Sequence, residues 1–147
     1  MEPDESYDAI VCRHLVWTLT QATLEEWFRL LKPGGKLLVF DGDWARPTTL
    51  GRLATWTIRQ IDRVIGPDNH YDGALSDRDA TIMQNLPFGD GLTMKALLPM
   101  LKAAGFETIE QTPHQPIAAA QRKTANLRNC LRTFVYRRFI LCAHKPV

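Results

Sequence analysis

The residues after the first apolar run of the sequence are of types that bind ligands. The run covers residues 7–12 (YDAIVC), and Arg13, His14 and Trp17 follow it closely. An arginine or a histidine can contact a polar ligand, and a tryptophan can form the wall of a pocket. A second interpretation stays open, in which Trp17 packs in the core and His14 is a polar residue with no part in binding.

A second group follows the apolar run 36–41 (KLLVFD) and consists of Asp41, Asp43 and Trp44. A carboxylate at such a place could orient or deprotonate a nucleophile, provided that it reaches the proton. The alternative is an aspartate that caps a helix or stabilises a turn.

His70 and Tyr71 form a third candidate group. They lie in a segment rich in Gly, Asp, Asn and Pro, which we expect to be a loop and part of a lid over a substrate. A histidine titrates near neutral pH and could act in catalysis, whereas a surface histidine without function is the alternative. The four histidines and three cysteines show neither metal-ligand nor disulfide spacing: His14, His70, His114, His144, Cys12, Cys130 and Cys142. The sequence therefore predicts no metal site.

The first two groups are predicted to share one edge of a sheet. Residues 7–12 and 36–41 are typical of buried strands, and the segment 24–32 between them has helical periodicity, with Thr23 as its expected cap and 33–35 (PGG) as its end. Strand, helix and strand in this order predict a right-handed βαβ unit with parallel strands. Because ligands of open α/β sheets bind at the carboxyl ends of the strands, both groups are placed there.

The rest of the chain completes an α/β pattern. We predict a helix over 46–65, a loop over 66–92, a helix over 93–104, an edge strand over 106–111, a helix over 117–132 and a last strand over 134–143. No repeat or shift in composition divides the chain.

Composition is that of an ordinary globular domain, with 147 residues, 45% hydrophobic and 23% charged. No apolar stretch is long enough to span a bilayer, and the acidic start is unlike a secretory signal, so the cytoplasm is the expected location. Residues 1–44 hold four Lys/Arg against eight Asp/Glu, whereas residues 101–147 hold eight against two. The basic residues are spread over a predicted helix and strand, which favours a solvated face over a nucleic-acid site.

Three segments carry a resemblance to a known family. Residues 3–11 (PDESYDAIV), 30–39 (LLKPGGKLLV) and 102–106 (KAAGF) resemble, in the same order, segments of class I S-adenosylmethionine-dependent methyltransferases of the ubiquinone/menaquinone biosynthesis type. They match the entry to the family's fourth strand, its fifth strand and the step into its sixth. The resemblance implies the C-terminal half of a Rossmann-like fold, with a mainly parallel sheet in the order four, five, seven, six, an antiparallel last strand and helices on both faces.

The resemblance also implies roles for the candidate residues. Arg13, His14 and Trp17 would contact S-adenosylmethionine at its methionine end, whereas Asp43, Trp44, His70 and Tyr71 would lie around the substrate. The family's glycine-rich turn and ribose-binding acid have no counterpart in the sequence, so we expect a single partial domain over residues 1–147. Alone, it should bind the cofactor weakly or not at all and be inactive.

The function implied is methyl transfer from S-adenosylmethionine to a small molecule, by a domain that lacks its N-terminal half. The alternative is a non-catalytic half-domain that acts as an oligomerisation or interaction module. Without the family's first strand, residues 9–12 would form an open sheet edge, which another chain should cover. A homo-oligomer or a complementing N-terminal chain is therefore the expected partner, and no membrane partner is expected.

Overall fold

Four strands form one sheet in the order β1-β2-β4-β3 in the computed structural model, which describes residues 2–66 and 85–147. The strands are β1 (Tyr7–Arg13), β2 (Leu31–Pro47), β3 (Thr108–Thr112) and β4 (Tyr136–His144). β1 and β2 are parallel, whereas β4 runs antiparallel to both β2 and β3. The predicted fold class, strand order and antiparallel last strand are thus confirmed.

The PGG turn interrupts the pairing between β1 and β2. Helix α1 (Gln21–Leu30) ends directly before β2, and the register then passes from Tyr7 opposite Leu31 to Ala9 opposite Lys36. Gly34 has φ of 74°, a left-handed conformation that glycine adopts without steric cost. The turn therefore separates the helix from the regularly paired part of β2, which begins at Lys36 as predicted.

Threonines precede three of the helices. Thr20 precedes α1, three residues before the cap predicted at Thr23, because the backbone of Thr20 is extended and the helix begins at once after it. Thr48 caps α2 (Thr49–Ile65) by accepting a hydrogen bond from Gly51 N at 2.8 Å. Thr93 caps α3 (Met94–Ala103) in the same way, with Ala96 N as donor at 3.2 Å. The hydroxyls of Thr48 and Thr93 thus each pair with a backbone N–H in the first turn that has no partner within the helix.

The helix predicted over 117–132 is wrong in one respect, because the chain forms two helices there. These are α4 (Gln115–Thr124) and α5 (Leu127–Arg132). The side chain of Asn126 accepts a hydrogen bond from Asn129 N at 2.9 Å, so it caps α5 and the backbone around it is extended. Asparagine competes for backbone donors in this way, which a helical periodicity does not reveal.

Helices cover both faces of the sheet. On one face α1 and α3 pack on the sheet around the main buried cluster, whose largest members are Phe106, Leu24, Leu31, Leu37, Leu92, Leu97, Leu101 and Leu141. On the other face, Ile117 of α4 lies across a cavity from Phe40 and Ile140. In the part of the chain that the structure describes, no helix is long and apolar enough to cross a membrane.

Candidate functional site

The candidate site lies at the carboxyl edge of the parallel strands. β1 ends there at Arg13, and β2 continues through Asp41 and Asp43. Because β4 is antiparallel to β2, its first residues come to the same edge, with Arg137 opposite Asp43 and Tyr136 opposite Pro47. Three strands therefore contribute side chains to one region, in agreement with the general location of ligands in α/β sheets.

Asp41 holds the loops at this edge together. Its side chain is buried and accepts three hydrogen bonds, from Val16 N at 2.9 Å, Gly42 N at 2.8 Å and Trp44 Nε1 at 2.7 Å. Val16 begins a single 3-10 turn after β1 (Val16–Thr18), whereas Trp44 belongs to β2. A buried carboxylate with such partners is satisfied, so Asp41 positions other residues and is not free to take a proton from a ligand.

His14 bends the chain at the end of β1. Its φ is 54°, a left-handed conformation that is unfavourable for a residue with a side chain. Its backbone N donates to Phe40 O at 3.0 Å, and its carbonyl accepts from Trp17 Nε1 at 3.1 Å. Strained residues that their surroundings hold in place are concentrated at functional sites, so this bend favours a role for His14.

The bend brings His14 into an aromatic group. Its ring lies 4.5 Å from the ring of Trp44, which in turn lies 5.5 Å from the ring of Tyr136 in an edge-to-face contact. The guanidinium of Arg138 stands 5.5 Å above the Trp44 ring. These rings come from three different chain segments, so their contacts join the ends of β1, β2 and β4.

Burial lowers the pKa of His14, and the positive charges of Arg13 and Arg138 lower it further, against the opposite effect of Asp41. The imidazole is therefore neutral at pH 7, with one nitrogen able to accept a hydrogen bond or a proton.

Two cavities open at this edge. The smaller has a volume of about 350 Å³, and Arg13, His14 and Asp41 line it together with residues of α4. The larger has a volume of about 900 Å³ and is lined by residues from β2, β3, β4 and α4 and from the first turns of α2 and α3. His114 and Arg138 line both cavities, so the two are neighbouring compartments of one cleft.

Asp43 is the carboxylate among the described residues that line the larger compartment. It is buried, and its Oδ1 accepts a hydrogen bond from Arg46 N at 3.1 Å, which is a turn contact of the kind that the sequence left open. The loop around Gly91 packs so closely on this carboxylate that a Cβ there would come within 2.4 Å of Oδ1. Asp43 is thus fixed in orientation while it faces a cavity.

The structure brings most of the predicted site residues to one place. Arg13 and His14 line the smaller compartment, Asp43 lines the larger, and Trp44 packs against His14. Trp17 packs against the core cluster instead of lining either cavity, although its indole holds the carbonyl of His14. The predicted residues at 70 and 71 lie outside the described part of the chain.

Tyr136, Arg138 and His114 also belong to the site, and sequence reasoning did not find them. Tyr136 and Arg138 reach it only because β4 is antiparallel, and His114 only because α4 begins at the end of β3. The pair of arginines at 137 and 138 was the available signal. Within residues 2–66 and 85–147 no group of His, Cys, Asp or Glu is arranged to hold a metal ion.

Comparisons with known proteins agree with this architecture. Residues 2–39 match the family model of the methyltransferase domain. A comparison with curated proteins finds no match. The fold is similar to phosphoethanolamine N-methyltransferase 2 of Haemonchus contortus, whose complex with phosphomonomethylethanolamine and S-adenosylhomocysteine is 14% identical with a TM-score of 0.51. That alignment covers 99% of this chain and 35% of the other.

The complex of the same enzyme with S-adenosyl-L-methionine is 15% identical, with a TM-score of 0.52 and coverage of 98% of this chain and 34% of the other. The chain therefore has the Rossmann-like fold of methyltransferases, and it spans about a third of the length of these similar structures.

Proposed function

We propose that this chain is the acceptor-side part of an S-adenosylmethionine-dependent methyltransferase that acts on a small molecule. The observation that carries the proposal is the match of residues 2–39 to the methyltransferase domain, because this segment includes β1, the bend at His14 and the start of β2. The cleft at the carboxyl edge and the Rossmann-like fold support it.

The smaller compartment fits the methionine end of the cofactor. Arg13 lines it and offers a positive charge to a carboxylate, and Phe40 and Ile140 give it apolar walls. S-adenosylmethionine would supply a methyl group on sulfur, whose departure needs little chemical help. The work of the protein is then to align the acceptor with the methyl group and to exclude water.

The larger compartment fits the acceptor. Asp43 is fixed there and would orient the nucleophilic atom or take its proton as the methyl group is transferred. The two compartments adjoin at His114 and Arg138, which would bring the donor and the acceptor next to each other.

A further segment or chain would supply the adenosine side of the site. The sequence has no glycine-rich turn that leads from a strand into a helix, and backbone donors of such turns provide polar cofactor contacts. The chain also spans about a third of the similar structures. We therefore expect weak cofactor binding and no turnover by this chain alone.

Photo-crosslinking with methyl-labelled S-adenosylmethionine tests the proposal. We expect label on a peptide that contains His14 or Trp44, competed by S-adenosylhomocysteine and not by ATP. Trp44→Phe should reduce labelling, whereas Trp56→Phe, on the exposed face of α2, should not. Label spread over unrelated peptides, or equal competition by ATP, would refute the proposal.

A second candidate function is an interaction module, and the open edge of β1 favours it. Among described residues β1 pairs only with β2, and Val11 and Tyr7 on it are 64% and 41% exposed. Unpaired strand edges with apolar side chains recruit further strands. Either a second copy or a complementing chain would cover this edge, and cofactor-dependent labelling distinguishes a catalytic part from a purely structural module.

A further inference from the structure

The larger compartment carries far more positive than negative charge. Among the described residues that line it, one is a carboxylate, Asp43, and six are cationic: Arg46, Arg52, Lys95, Arg122, Arg137 and Arg138. Within the described residues none of the six forms an ion pair with a carboxylate. A concave surface of one sign concentrates ligands of the opposite sign, because its low-dielectric walls focus the field.

Three helices also direct their N-termini at this compartment. Thr49, Met94 and Gln115 are the first residues of α2, α3 and α4, and all three line it. Each helix end carries about half a positive charge, and none of these helices has an acidic residue in its first turn to offset that charge. The helix ends therefore add to the attraction for an anion.

Two of the arginines are fixed in position by contacts with neighbouring side chains. Arg122 donates from Nη1 to Thr133 Oγ1 at 3.2 Å, and its guanidinium lies 4.7 Å from the centre of the Phe134 ring. Arg138 is held over Trp44, and its Nε is buried with no hydrogen-bond partner among the described residues. A buried donor without a partner is costly, and a bound oxyanion would satisfy it.

We propose that this compartment binds a phosphate monoester group, and that the methyl acceptor is a small molecule carrying that group. The identification of the bound molecule as the acceptor rests on the proposed function, whereas the anion site itself does not. A phosphate monoester brings almost two negative charges and three acceptor oxygens. A carboxylate brings one charge and would leave most of the six cations without a partner. Guanidinium groups match phosphate geometry through paired hydrogen bonds.

The test is a titration of the full chain with inorganic phosphate, followed by NMR of the His114 imidazole. His114 lines both compartments, and burial together with Arg138 and Arg122 lowers its pKa. Bound phosphate offsets these positive charges, so it should raise the pKa of His114. Acetate and chloride at the same ionic strength should change this pKa much less.

Arginine variants locate the site. Arg52→Gln, exposed in the first turn of α2, and Arg122→Gln should each weaken phosphate binding about fivefold to tenfold, as expected for a lost charge-assisted hydrogen bond. Arg59→Gln is the matched control, because Arg59 is exposed on the same helix and lines neither cavity. Equal effects of all three variants, or equal binding of acetate and phosphate, would overturn the proposal.

Two further outcomes separate this inference from others. Tight binding of a DNA or RNA oligonucleotide that displaces phosphate and depends on Arg52 would replace the small acceptor by a nucleic acid. Phosphate binding without any response of the chain to S-adenosylhomocysteine would keep the anion site and reject the methyltransferase proposal. A specific response to S-adenosylhomocysteine without phosphate binding would keep the methyltransferase proposal and reject the anion site.

Discussion

The imidazole of His14 lies 4.5 Å from the indole of Trp44, with the two planes tilted by 40°. This contact joins the end of β1 to the end of the neighbouring parallel strand. Asp41 fixes the two segments that carry these rings, because its carboxylate accepts hydrogen bonds from both the Val16 backbone and the Trp44 indole. The shape of the cleft therefore depends on a residue that is itself buried.

Asp41→Asn should destabilise the fold. The amide can accept on one atom only, so at least one of the donors at Val16, Gly42 and Trp44 would face a nitrogen and lose its partner. We expect a loss of about 2–4 kcal/mol in the free energy of unfolding, measured by urea denaturation. Tryptophan fluorescence reports separately whether the Trp44 indole is among the donors that lose their acceptor.

Asp8→Asn is the matched control. Asp8 is exposed and its pKa is lowered by a hydrogen bond and the charge of Lys32, a surface contact that contributes little to stability. Its urea midpoint should stay close to that of the unaltered chain. Equal destabilisation by the two variants would contradict the role assigned to Asp41.

The His14 imidazole should titrate below its usual value of about 6.5. Burial and the nearby Arg13 lower its pKa, so the unfolded chain binds this proton more readily than the folded chain does. The free energy of unfolding should therefore decrease as the pH falls from about 6.5 towards the pKa of the folded state. NMR titration gives the pKa, and urea denaturation across this range gives the slope.

His14→Asn is the informative variant, because asparagine tolerates the left-handed backbone found at this position. It should reduce the slope of stability against pH without removing the bend. A His14 midpoint at or above 6.5 would show that the ring is more solvated than the structure indicates.

Val11→Lys should reduce self-association if a second copy covers the edge of β1. Val11 is 64% exposed on that strand and also lines the smaller compartment, and a lysine there would place a charge beside a second strand. Sedimentation velocity over a range of concentrations measures the effect. Val64→Lys is the control, because Val64 is 85% exposed on α2, away from β1.

If only the Val64 variant lost self-association, the contact between copies would lie on α2 and not on β1. A chain that stays monomeric at high concentration before any substitution would leave a complementing chain as the partner, and Val11→Lys should then weaken binding of that chain.

Local patterns in the sequence were sufficient to predict the strands of the site. The apolar runs ending at Cys12 and Asp41 and the PGG turn define a βαβ unit, so Arg13, His14, Asp43 and Trp44 could be assigned to one edge. Strands, helices and turns of this kind depend on residues close together in the sequence, so apolar periodicity and turn-forming residues are enough to predict them.

The parts that could not be predicted depend on contacts between distant segments. The left-handed bend at His14 and the anchoring role of Asp41 follow from packing between β2 and the segment after β1. Tyr136 and Arg138 enter the site through the pairing of β4 with β2, which no local pattern in their own segment specifies. The helix break at Asn126 is a capping contact that interrupts an otherwise helical pattern.

An NMR titration of the isotope-labelled chain with S-adenosylhomocysteine tests the central claim most directly. Backbone amides of residues 13–17 and 41–44, and the indole of Trp44, should shift together with a dissociation constant weaker than micromolar. ATP at the same concentration should not produce this pattern. Micromolar affinity for the isolated chain would contradict the claim that part of the cofactor site comes from elsewhere. No shift in these two segments at millimolar ligand would contradict the assignment of the site.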